Sequence, residues 1–156
     1  MFRVSRRVDY GLRLLIALAV DQNSGSQATS RLAARLDIPL AFLHQIGRSL
    51  IQAGILRSSP GPGGGLRLSR SPEEITLLQV LETLDGPVRI SACLDQPNCD
   101  EDPDLPSAET WADIQQSLIG ELNKINLTSL VDKAKYKSAV YTPVPGYTPV
   151  SKSIAI

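Results

Sequence analysis

The side chains of this 156-residue chain best able to do chemistry fall into two groups. Cys93 and Cys99, separated by five residues in an acidic run that also holds three prolines, are its only thiols. Two cysteines are too few to staple a secreted fold. In a reducing compartment such a pair binds metal, undergoes redox chemistry or does nothing. Structural zinc usually asks for four Cys or His ligands, and the chain has one histidine, His44. The second group lies in residues 40–53, where Leu43, Ile46 and Leu50 share one helical face and leave Ala41, His44, Gln45, Arg48, Ser49 and Gln52 on the other. Glutamine pairs with adenine, arginine with guanine, and serine or histidine with bases or phosphates, which suits a helix lying in a DNA major groove. A plain solvated helix face has the same composition, so the surrounding elements must decide. No histidine-based triad can be assembled, and the chain does not read as an enzyme.

Those elements follow from periodicity and turn chemistry. Val8, Leu12, Leu15, Ile16 and Ala19 predict a first amphipathic helix over residues 5–20 with Ser5 as N-cap. A loop at 21–26 leads to a short helix over 28–36 with Leu32, Ala33 and Leu36 inward. Asp37, Ile38 and Pro39 then make a tight turn into a third helix over 40–53, ended by Gly54. Helix, short turn, helix is the helix-turn-helix arrangement. Gly47, inside the third helix, costs about 1 kcal/mol there and implies a close backbone approach to a neighbouring helix or to DNA.

Residues 53–68 follow as two short apolar strands around a turn in which Gly61, Gly63, Gly64 and Gly65 surround Pro62, the shape of a wing. The turn lacks the Gly-Lys-Ser/Thr ending of a phosphate-binding loop and the third glycine of a dinucleotide fingerprint. A further helix is predicted from Pro72 to Leu84, with Glu73 and Glu74 in its first turn and a stop at Asp85, Gly86 and Pro87. Beyond the cysteine run, Trp111, Ile114, Leu118, Ile119, Leu122 and Ile125 predict a long helix over 107–127. Its apolar stripe is wide enough to pair with a second copy. The fold class is therefore mainly α, a winged helix-turn-helix with a long C-terminal dimerisation helix. Its divisions are a DNA-binding domain (1–90), a cysteine-containing sensor loop (91–106), the dimerisation helix with a short terminal helix (107–135) and a disordered or extended tail (136–156) carrying Tyr-Thr-Pro-Val twice.

Charge supports that division. Residues 1–70 hold ten Arg, no Lys and three acids, whereas residues 71–112 hold ten acids and one Arg, so a net charge of zero conceals a basic half beside an acidic segment. Clustered arginine is the footprint of a surface that meets nucleic acid. Near the start, Asp9 and Arg13 interrupt the apolar stretch, which is too short for a membrane span and at the lower limit for an export signal. A cytoplasmic protein with no membrane partner is expected.

Taken together, Asp9-Tyr-Gly-Leu-Arg-Leu-Leu, the helix-turn-helix, Gly61-Pro-Gly-Gly-Gly-Leu-Arg-Leu, Glu74-Ile-Thr-Leu-Leu-Gln-Val-Leu-Glu, and Cys93 and Cys99 ahead of Trp111 resemble the Rrf2 family of bacterial regulators over residues 1–132. The resemblance implies a homodimeric winged-helix repressor or activator on a partly palindromic duplex operator, often with an iron-sulfur cluster, here of the 2Fe-2S type, as sensor. Cys93 and Cys99 match two cluster ligands. Leu105 stands where cluster-binding members carry a third cysteine, and Ala108 where some carry a histidine. Asp9 matches a first-helix aspartate that in some relatives ligates from the partner subunit. The fourth position is open to Asp100, Glu101, Asp102, Asp104, Glu109, a small molecule or water, and a thiol-disulfide switch remains the cluster-free alternative. Pro60 replaces an arginine common before the glycine run, so minor-groove contact would fall to Arg57, Arg67 or backbone amides.

Overall fold

The computed structural model describes residues 4–91 and 107–136. The order is α1 (Arg6–Val20), α2 (Thr29–Leu36), α3 (Leu40–Gln52), β1 (Leu56–Ser59), β2 (Gly65–Leu68), α4 (Leu77–Asp85), α5 (Ser107–Lys124) and α6 (Leu127–Tyr136), with short 3-10 turns at Gln22–Ser24 and Pro72–Glu74. Cys93, Cys99, Leu105 and the C-terminal repeat lie outside the described residues.

Ser5 caps α1 as expected, its Oγ accepting from the Val8 amide at 3.2 Å, and the same hydroxyl donates to Asp85 at the end of α4, 2.7 Å away. The buried face of α1 is Val8, Gly11, Leu14, Leu15 and Leu18, while Leu12, Ile16 and Ala19 are half-buried beside it. With Leu32, Leu43, Ile46 and Leu50 these residues form one aliphatic core, in which no buried residue is polar. Helix α2 begins at Thr29, one residue later than its periodicity implies, and ends on Asp37 in the left-handed conformation. Helix α3 stops at Gln52, and Gly54 takes φ +70° to turn the chain into β1.

The wing is an antiparallel hairpin in which Leu56 faces Leu68 and Arg57 faces Arg67. It is fastened to the helix-turn-helix by an unforeseen backbone pairing. The Gln27 amide donates to the Leu66 carbonyl at 2.9 Å and the Leu66 amide donates back to Gln27 at 2.8 Å. Gly65 makes this possible, since a Cβ on it would sit 1.9 Å from the Gln27 carbonyl oxygen and its φ is +150°. The neighbouring loop is tied down by Asp21, which accepts from Arg35 at 2.6 Å and Gln27 at 3.3 Å. The Arg35 hydrogen bond, helped by Gln27 and opposed by burial, holds the Asp21 carboxyl below its ordinary value.

Two expected continuous helices are broken. The stretch from Pro72 is a 3-10 turn, an extended Ile75 and then α4, because two capping boxes compete for it: Ser71 with Glu74, and Thr76 with Gln79. The helix over 107–127 ends at Lys124, and the Asn126 Oδ1 accepts from the Ser129 amide to start α6. The two breaks meet. Leu127 donates to the Ile75 carbonyl at 2.9 Å and Leu77 to Ile125 at 2.8 Å, docking the C-terminal helices on the winged domain. A third link, from the Ile90 amide to the Gln115 side chain at 3.2 Å, joins the two sides of the cysteine segment.

Gly47 approaches neither a helix nor open solvent. It is buried beneath the wing strand, where an added Cβ would meet only Leu66 Cδ1 at 3.5 Å, an ordinary contact. Gly47→Ala should therefore raise stability by about 0.5–1 kcal/mol through helix propensity. Gly65→Ala should cost at least about 2 kcal/mol by breaking the Gln27–Leu66 pairing; denaturant unfolding of both variants measures the contrast. For Asp21 the depressed carboxyl contributes stability that is complete above its ordinary value of 3.8 and lost as pH falls through the lowered one. The stability gap between wild type and Asp21→Asn should be flat above pH 5 or so and close on acidification, by less than about 1 kcal/mol in all.

Candidate nucleic-acid interface

Helix α3 presents its polar face because Leu43, Ile46 and Leu50 are fully buried on the other side. Ala41, His44, Gln45, Arg48 and Gln52 are exposed along it. Ser49 differs from its neighbours. Half-buried, it accepts from the Arg7 guanidinium at 2.6 Å and bonds the Gln45 carbonyl at 3.3 Å, tying α1 to α3. Arg7 Nε is buried and unpaired, so the Nη2 bond to Ser49 is the hydrogen bond that holds this guanidinium among the described residues.

At the start of α3, Leu40 and Phe42 are exposed apolar residues that the helical pattern did not single out. Phe42 packs edge-on against Tyr10, with ring centroids 5.9 Å apart, and Arg13 lies 5.7 Å over the Tyr10 ring. Arg13 also pairs with Asp9 at 2.8 Å, an i,i+4 ion pair with both side chains about half exposed. The one legible trace of this cluster was the spacing of Asp9, Tyr10 and Arg13 on a single helix face. It places the candidate ligand Asp9 within a short chain of contacts leading to the start of α3.

Beside α3 stands the wing. Arg57 and Arg67 are exposed on it, and Pro60 lies at its exposed tip. On α5, Leu118, Ile119 and Leu122 pack against the chain's own core, leaving Trp111 and Ile114, 48% and 45% exposed, as the unburied part of the stripe. Among the described residues no three His, Cys, Asp or Glu side chains converge to hold a metal. Of the candidate cluster ligands, those described are Asp9, whose carboxylate is engaged by Arg13, and Glu109, exposed on α5, so these residues do not by themselves make a cluster site. No described helix is long and apolar enough to cross a membrane.

Residues 4–133 match the Rrf2 family, described as an iron-dependent transcriptional regulator. The chain belongs to this family. It is 27% identical over 128 residues to an HTH-type transcriptional regulator of Haemophilus influenzae, covering 82% of this chain and 85% of that protein. It is likewise 27% identical over 130 residues to the regulator IscR of Cronobacter sakazakii, covering 83% and 80%. The solved structure of CymR, the global cysteine regulator of Bacillus subtilis, superposes with a TM-score of 0.72 at 26% identity over 85% of this chain and 98% of that one. The winged-helix fold, DNA binding as a transcriptional regulator and the absence of an enzymatic role follow from that membership.

The α3 geometry separates residues that face outward from the one that holds the fold. Ser49→Ala should lower stability by roughly 1–3 kcal/mol, because it removes the hydrogen bond of the Arg7 guanidinium, whose Nε is already unpaired. Arg48→Ala and Gln45→Ala should leave stability within about 0.5 kcal/mol of wild type. Thermal unfolding of the three variants side by side checks the division.

Proposed function

We propose that this Rrf2 regulator works as a cytoplasmic homodimer that reads a partly palindromic operator with α3 and is controlled by chemistry at Cys93 and Cys99. The observation that carries the first half is the exposed polar face of α3 beside a wing. Ala41, His44, Gln45 and Arg48 meet base edges and Arg57 and Arg67 contact DNA from the wing, with Ser49 setting the pitch of α3 on α1. The dimer rests on Trp111 and Ile114, which α5 leaves uncovered above the part of its stripe that its own core takes up.

For the control, the family's description as iron-dependent favours a 2Fe-2S cluster. Cys93 and Cys99 would supply two ligands and Asp9 of the other subunit a third, and such a group makes affinity respond to iron or redox state. Any ligand that takes the Asp9 carboxylate competes with Arg13, whose guanidinium lies over the Tyr10 ring that supports Phe42 at the start of α3. The cluster-free reading, a switch between the Cys93 and Cys99 thiols or a partner protein, is favoured by one specific observation. Asp9 already has a partner within its own helix, and the chain carries Leu105 and Ala108 at the remaining ligand places.

Anaerobic purification separates the two. The cluster reading expects a coloured protein with about equal iron and sulfide, and loss of both in Cys93→Ala/Cys99→Ala together with effector-dependent DNA binding. A colourless wild type whose DNA binding responds to a thiol oxidant, and stops responding in the same variant, establishes the thiol reading instead. A double variant that keeps every response removes the cysteines from the mechanism.

A further inference from the structure

The wing carries a charge arrangement that its fold does not need. Arg57 on β1 and Arg67 on β2 are register partners. Their side chains therefore leave the same face of the hairpin at directly opposed positions, with Cβ atoms about 5 Å apart. Like charges set across a ladder in this way are destabilising. Neither guanidinium is relieved by a hydrogen bond or ion pair with any described residue. Asp21, the acid adjoining this region, is already committed to Arg35 and Gln27.

The two arginines line a cleft of about 200 Å³ together with Leu18, Gln22, Gly25 and Leu68. Of this lining Leu18 and Leu68 are buried and Gln22, Arg57 and Arg67 are exposed. The lining thus brings together two arginines and a glutamine, with no carboxylate among its residues. Such a set suits a compact anionic group that offers more than one acceptor oxygen, as a phosphate does.

We propose that Arg57 and Arg67, with Gln22, form a phosphate-binding site at the root of the wing. A base edge in the minor groove offers isolated acceptors and would leave the repulsion between the guanidiniums in place. One phosphate relieves both. The inference deepens the DNA-binding reading, in that a backbone phosphate of the operator is one source of the group. A free phosphate-bearing molecule is the other. Where the sequence suggested minor-groove contact by Arg57 or Arg67, the opposed pair acts in positioning rather than in base readout.

The test compares the full-length wild type with R57Q/R67Q in two arms. In the first, thermal unfolding without DNA is followed in inorganic phosphate and in chloride at equal ionic strength. Phosphate should raise the Tm of the wild type and not that of the variant, and in chloride the variant should be at least as stable as the wild type, because the like-charge contact is gone. In the second, affinity for a duplex enriched from random DNA by the wild type is measured against salt. If the operator supplies the phosphate, the slope of log affinity on log salt falls by about one to two in the variant with base preference unchanged. An unchanged slope with phosphate stabilisation retained assigns the site to a free phosphate-bearing molecule.

The proposal is overturned if phosphate does not distinguish wild type from variant and the salt slope is also unchanged. It is overturned equally if the variant alters base preference without altering the slope, since that is base readout. A wild type that enriches no duplex defeats the regulator reading, and the first arm alone then decides this one. R57Q and R67Q singly, each expected to give a partial effect, stand in if the double variant does not fold.

Discussion

Two backbone hydrogen bonds between Gln27 and Leu66 set where the wing stands, and much of the surface proposed to face DNA depends on them. Leu66 is held by this pairing with its side chain beneath α3, against Gly47. The alternation of a strand then sends Leu68 into the core with Leu66 and turns Arg67 outward, opposite Arg57. A side chain at Gly65 would drive the strand off Gln27, and a one-residue slip in register would exchange the arginines for the leucines. The wing is thus a fixed companion of α3, and that fixity is what a protein needs if the two are to engage adjacent grooves together.

A second constraint governs how the C-terminal part reaches the DNA-binding part. The breaks at Ile75 and at Ile125–Asn126 exist because helix caps win locally over continued helix, and the backbone groups they free bond each other. With Ile90 held by Gln115, both sides of the cysteine segment are anchored to the same body. A change of covalent or ligand state at Cys93 and Cys99 would therefore act on two fixed ends rather than on a free tether. The Asp9–Arg13–Tyr10–Phe42 contacts give a separate route from the first helix to the start of α3.

Much of this was legible in the sequence, for reasons that can be named. Leucine and isoleucine spacing located α1, α2 and α3 because their buried faces are aliphatic and uninterrupted, and the glycine run located the wing because few other structures tolerate it. The capping boxes at Ser71–Glu74 and Thr76–Gln79 were also present as residues. They were overridden in the reading by the apolar period that runs through them, although two N-caps five residues apart cannot serve one helix. The Gln27–Leu66 pairing was invisible, since a single residue of bridge has no periodicity. At Gly47 the pattern shows that a position is small without showing that the wing's Leu66, rather than a helix or DNA, lies above it. Ser49 looked like its neighbours on α3 until the reach of Arg7 from another helix was known. The cysteine ligand set is a matter of donor chemistry, which Leu105 and Ala108 leave incomplete in the sequence itself.

The proposed function has α3 read operator sequence in a chain acting as a two-fold dimer. Selection of duplexes from a random pool by the full-length protein, followed by sequencing, tests it most directly. The expected result is an enriched motif with two inverted half-sites whose centres lie about one helical turn, or a multiple of it, apart. Bases within each half-site should be the positions whose preference relaxes in Gln45→Ala and Arg48→Ala. Enrichment of no motif, or of a single asymmetric motif indifferent to both substitutions, would contradict it.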